Sequence, residues 1–367
     1  MTSLDIAHQR LYNQHIAGAK FDKPGDVVAW LGAVQAQDYL GALWAVGLRT
    51  RNATEKDIER AVSEKIIVRT WPMRRTLHFV AAADVRWMLD LLTPRILASS
   101  MWRSQWLDLN ERIFERSKEL FVRALEGGKQ LRRDAMYRLL EAARISTAGG
   151  RGLHILARLA LEGVICFGAR EGKQQTFTLL AEWSPDARAM ARDEALAKLT
   201  RRYFTSHGPA TLKDFVWWSG LTTSDARAGL EMVRPHLAQE VIDGKTYWLH
   251  SSLPAAKDRS PKNESPKDGS PRAYLLPPFD EYTVAYKDRG DVLDPLYAKQ
   301  VNSGNGVFSP TMVVDGQVVG TWKRTLKRGA VVITPSLFTK INKAETRALA
   351  EAASRYGEFL GAPVVLP

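Results

Sequence analysis

The chain has 367 residues, 45% of them apolar and 25% charged, with 11 Trp, 12 Phe and 10 Tyr to fill cores, which excludes both a single small domain and wholesale disorder. Lys and Arg outnumber Asp and Glu by 52 to 40, a formal charge of +12, so polyanionic partners are open, either nucleic acid or an acidic membrane surface. A lone cysteine, Cys166, excludes an internal disulfide framework and any cysteine-based metal cluster, and without a basic-then-apolar leader the expected compartment is the cytoplasm.

In chain order, apolar spacing predicts helices over 4–17, 26–35 and 55–63, then strands over 66–70 and 76–80 around Trp71-Pro72-Met73-Arg74-Arg75. The apolar windows 27–37 and 39–48 are broken by Asp38 and closed by Arg49, short of the ~20 apolar residues that cross a bilayer. His8 and His15 share a face of the first predicted helix, where a surface or core role outweighs a metal site. Residues 132–143 place Ala135, Met136, Leu139 and Leu140 at helical spacing, and a turn at Gly149-Gly150 leads to a helix over 153–161 with Arg151, His154 and Arg158 off its apolar face. Strands over 164–167 and 176–179 complete a helix, turn, helix, hairpin order, the winged-helix arrangement. It recurs in helices over 192–206, 212–219 and 224–233 and a hairpin over 240–249 turning on Asp243-Gly244. Residues 251–272, rich in Pro, Ser and alternating charge, read as a linker. Beyond them a hairpin over 312–322 turns on Asp315-Gly316, and a helix covers 345–360.

The predicted fold is mainly α with β-hairpins (α+β): three tandem winged-helix motifs followed by a small β-rich C-terminal domain. The expected boundaries are 1–90, 91–183 (linking helices and second winged helix), 184–250, the linker 251–271, and 272–367. A generic helical domain with scattered hairpins is the competing reading. The largest basic excess, 15 against 10, falls in 91–183 and fits a basic groove or a solvated positive surface.

No GxxxxGK[ST], strand-borne GxGxxG, HExxH or GxSxG occurs, so nucleotide hydrolysis, dinucleotide binding, zinc proteolysis and serine hydrolysis lack support and no cofactor or metal is expected. What remains is polar and aromatic. Val34-Gln35-Ala36-Gln37-Asp38-Tyr39 is expected to close an apolar helix, and amides at i and i+2 converge only where the backbone turns; helix-end capping is the plainer reading. In the first hairpin Arg74 and Arg75 are candidate phosphate contacts, Trp71 or Met73 a candidate wedge, and His78 a candidate for holding the backbone or orienting the amides. Core packing of Trp71, Leu77 and Phe79 is the other reading. Arg151, His154 and Arg158 are candidate phosphate contacts or a solvated helix face. Pro277-Pro278-Phe279-Asp280-Glu281-Tyr282 pairs two carboxylates, for which structure is the stronger reading, Asp280 holding a buried Arg or the backbone.

Residues 30–39, Arg69 with 71–78, 275–282 continuing to 286–289, and 315–322 resemble the AlkZ/YcaQ-like winged-helix DNA glycosylases, and the likeness extends over nearly the whole chain. The resemblance implies a C-shaped set of three winged helices with a β-rich C-terminal domain, lining a basic channel. Its catalytic motif is Gln, an apolar residue, then Gln or Asp; Gln35-Ala36-Gln37 matches the Gln-Gln form, with Asp38 one residue beyond. That form implies a monofunctional glycosylase excising N7-alkylated purines, including some interstrand crosslinks, in base excision repair. The implied partner is double-stranded DNA carrying such lesions, with no membrane and no obligate protein partner. Gln37 would orient water and Gln35 support it or contact the sugar. The other function class is a non-catalytic winged-helix DNA-binding protein such as a transcriptional regulator.

Overall fold

The structure, a computed structural model, describes residues 2–251, 270–304, 306–327 and 329–366, so nearly all of the predicted linker lies outside the described residues. The chain forms two compact units, one of Met1–Ile58 with Leu196–Pro367 and one of Glu59–Ala195.

In the first unit the helix Ser3–Asn13 opens on a capping box between Thr2 and Asp5. It stops short of the predicted residue 17 because Gln14 caps it and His15 turns left-handed (φ 54°), so His8 and His15 share no helix face. The helix Pro24–Leu31 likewise ends before the predicted residue 35. Gly32 takes φ +82°, which leaves the helix, and Val34–Gln35 is a two-residue strand. Asp38 then caps a helix that the sequence reading did not predict, Tyr39–Gly47, its carboxylate accepting from the Gly41 N–H at 2.6 Å.

The helices Arg192–Ser206, Leu212–Ser219 and Thr223–Val233 lead, as predicted, into an antiparallel wing, Leu237–Ile242 and Lys245–His250, turning on Asp243-Gly244. A single antiparallel bridge joins Ala210 to Trp248 of this wing. The C-terminal sheet has the order Val364–Val365, Ala330–Leu337, Gln317–Lys327, Thr311–Val314, Ala273–Leu276, with the helix Lys343–Leu360 packed on it. Its first hairpin closes at Asp315-Gly316, both residues left-handed, as the sequence predicts. The longer second hairpin escapes the alternation test because the end of Gln317–Lys327 is polar and exposed.

In the second unit the strands run in the order Thr76–Ala81, Ile67–Met73, Ile165–Phe167, Thr176–Leu179, Leu131–Arg132. The helices Glu111–Leu125, Arg133–Ala142 and Arg151–Leu161 with the last three strands form the predicted middle winged helix, around Phe114, Phe121, Met136, Leu140, Ile155, Leu159 and Phe177. One antiparallel pairing, Arg69 with Phe167, extends its sheet by the hairpin Ile67–Ala81. The fold is thus the predicted mainly helical α+β arrangement with a β-rich C-terminal sheet. Among the described residues no helix is long and apolar enough to cross a membrane.

Candidate functional site

Gln35 is buried and Gln37, two residues on, is exposed. The Gln35 N–H donates to Glu281 Oε1 at 2.9 Å, and the other carboxylate oxygen accepts from Trp218 Nε1 at 2.9 Å. Glu281, Trp218 and His207 are fully buried, and His207 Nε2 lies 3.5 Å from Glu281 Oε2. A carboxylate out of contact with water persists only where donors replace its hydration, so these partners fix the backbone at Gln35 to the Glu281–Val284 helix. Burial pushes the His207 imidazole below its ordinary pKa, outweighing the pull of Glu281 in the other direction. Its ring stacks on Tyr203 at 4.9 Å, and its Nδ1 meets Ser206 Oγ at 2.8 Å.

Beside this cluster Asp280 meets Arg49 through two bonds of 2.9 Å, both groups fully buried, which is the buried-Arg role expected of Asp280. Arg49 also donates to Gln14 Oε1 at 3.1 Å, Gln14 Nε2 to the Tyr286 hydroxyl at 2.9 Å, and that hydroxyl to His207 O at 2.7 Å. Tyr282 donates to Gly316 O at 2.7 Å. The motif 277–282 is therefore structural at Asp280 and Tyr282, while Glu281 bears directly on the candidate catalytic strand. Sequence reasoning missed His207 and Trp218 as its supports, since no local pattern links residues so far apart.

In the second unit Trp71 is 9% exposed and packs on Phe167 at 5.0 Å, and Met73 is fully buried. The wedge expected of one or the other is corrected by this packing, since a wedge needs a free edge and both side chains belong to the interior. His78 is fully buried, its Nδ1 3.0 Å from Thr76 O and its Nε2 3.1 Å from Arg74 Nη2. Arg74 and Arg75 form the hairpin tip with φ of 51° and 59°, a left-handed pair that L residues rarely adopt. Arg75 donates to Ser99 O and Oγ at 2.6 and 2.8 Å. Arg151 donates to Leu107 O and to Asp108 O, the latter at 3.0 Å, and His154 Nε2 lies 2.9 Å from Ser104 Oγ. Arg158 is paired with Glu162 and, at 3.2 Å, with Glu111. These pairs tie Arg158 to the helices Glu111–Leu125 and Arg151–Leu161. Arg151 and His154, both half-buried, serve as internal ties.

A three-helix bundle ending in a β-wing, present in each compact unit, defines a winged-helix protein. The chain belongs to the AlkZ-like DNA glycosylase family, whose model matches residues 28–359, and it is a DNA glycosylase of that family. It is 28% identical over 342 residues to the interstrand DNA cross-link repair glycosylase of Streptomyces sahachiroi, spanning 89% of this chain and 88% of the relative. The solved structure of Streptomyces sahachiroi DNA glycosylase AlkZ shares the fold with a TM-score of 0.80 at 24% identity, over 100% of both chains.

Proposed function

We propose that this glycosylase hydrolyses the N-glycosidic bond of N7-alkylated purines in duplex DNA, including interstrand crosslinks, using Gln35 and Gln37. An N7-alkylguanine already carries positive charge, so its departure needs little help from a general acid. Water oxygen bonds to the sugar C1′, the electrons of the glycosidic bond leave with the base and neutralise it, and the water proton passes to solvent. Fixed dipoles suffice for such a step: a carboxamide oxygen accepts a hydrogen bond from the water and faces the developing sugar cation. The weak basicity of a carboxamide confines the activity to lesions that are already destabilised.

The observation that carries the reading is the contrast within the motif. Gln35 is buried with its N–H held by the buried carboxylate of Glu281, while Gln37 is exposed two residues later. A motif whose backbone is anchored at the buried Gln35 and whose second glutamine is solvent-exposed suits Gln37 to hold the water and Gln35 to support it. The likeness to a crosslink-repair glycosylase supports the same substrate class.

The test is release of 7-methylguanine from alkylated duplex at matched DNA affinity. Gln35→Ala and Gln37→Ala are each expected to slow release roughly 100- to 1000-fold, the usual cost of removing one preorganised dipole. No release by the unmodified protein from either simple or crosslinked lesions would overturn the reading, and variants as fast as the parent would overturn the residue assignment.

A further inference from the structure

The six-residue helix Met101–Trp106 leaves Met101, Trp102 and Trp106 59%, 60% and 66% exposed. Trp102 and Trp106 are four residues apart and so share one helix face. Tryptophan carries the largest apolar surface of any side chain, and two of them standing side by side in water mark a binding surface.

The segment that carries them is tied at three points. Arg75 holds Ser99 ahead of the helix, His154 meets Ser104 on its buried side, and Arg151 holds Leu107 and Asp108 behind it. Three side chains that looked like phosphate contacts in the sequence thus fix the presentation of the two tryptophans. The surroundings are cationic: the Arg103 guanidinium lies 4.2 Å from the Trp106 ring centroid, and after burial, the main cause, Arg103 and Arg75 are among the charges that disfavour a proton on His154. Asp108, the acidic residue within the segment, has its carboxylate 3.9 Å from Arg151. Rigid aromatic faces set among guanidiniums match a base attached to a phosphodiester, whereas an apolar protein surface would gain nothing from the charge.

We propose that Trp102 and Trp106 form a stacking platform for nucleobases exposed in unpaired DNA, with Arg103 and Arg75 supplying charge toward the adjoining phosphates. The proposal rests on DNA being the substrate and adds where the protein holds bases that have left the helix. The test is anisotropy titration of labelled fully paired duplex and of duplex with a short unpaired gap. Trp102→Ala and Trp106→Ala are each expected to weaken binding of gapped DNA by roughly 5- to 150-fold, to affect paired duplex much less, and to be rescued in large part by Phe.

Release of 7-methylguanine by the unmodified protein, run in parallel, separates this proposal from the reading beneath it. Release together with unchanged binding by both Ala variants overturns the platform alone. Weakened binding of gapped DNA without any release supports the platform and overturns the excision reading. Equal weakening on paired and gapped DNA overturns base stacking, and a sedimentation change from dimer to monomer in the Ala variants with unchanged DNA affinity would make the patch a self-association surface instead.

Discussion

Arg49 and Asp280 face each other across 231 residues of sequence with both side chains out of reach of water. Removing one charge from such a pair leaves the other buried without compensation, at a cost of about 3–5 kcal/mol. Asp280→Asn is expected to lower the unfolding free energy by that amount in urea titrations, and a loss below about 1 kcal/mol would show that Arg49 reaches water. The sequence suggested a buried Arg for Asp280 without saying which one, because a tertiary pair leaves no local spacing to read. The same separation hides the partnership of Glu281 with Gln35, although both residues lie in distinctive motifs. Trp71 and Met73 show the opposite limit: residue type and position beside an Arg-Arg tip suit a wedge equally well, and only burial distinguishes wedge from core.

At the scale of elements, the candidate catalytic strand depends on how the preceding helix stops. Gly32 is left-handed, and a Cβ there would approach Arg202 Cδ at 3.1 Å. Gly32→Ala is expected to destabilise the protein by about 1–2 kcal/mol, mostly through its backbone conformation. It should also slow base release at temperatures where the variant remains folded, because the strand carrying Gln35 starts two residues later. Wild-type release by folded Gly32→Ala would show that the strand keeps its place without this turn. The elements legible in the sequence are amphipathic helices and Asp-Gly hairpins, where periodicity and turn chemistry agree. Residues 26–35 misled because Ala33 and Val34 continue the apolar run past the stop. Tyr39–Gly47 was missed because Gly41 to Gly47 are all buried, so that helix has no polar face to create a period.

For the whole molecule, proton binding sets the acid limit of stability. Burial is the main cause that lowers the pKa of His207, His154 and His250, so below the ordinary histidine value of about 6.5 the unfolded chain binds more protons than the folded one. Stability therefore rises with pH through that window and is lost as pH falls through it. Asp5, Asp134, Glu141 and Asp288 are lowered by hydrogen bonds and add a second loss below about pH 4. Unfolding free energies measured at pH 7.5, 6 and 5 are expected to fall in that order, and a flat or rising series would contradict the burial of these imidazoles. Net charge was legible from composition, but this sensitivity was not, because it depends on which histidines the fold removes from water.

The first compact unit is assembled from two stretches of chain, Met1–Ile58 and Leu196–Pro367. During synthesis Arg10 and Arg49 emerge early, whereas Asp291 and Asp280, their buried counter-charges, are made more than two hundred residues later. At about 5–20 residues per second that interval is roughly 10–50 s. Throughout it the nascent N-terminal helices display apolar faces with no counterpart yet made, which makes them targets for ribosome-associated chaperones, while Glu59–Ala195 is continuous and complete much earlier.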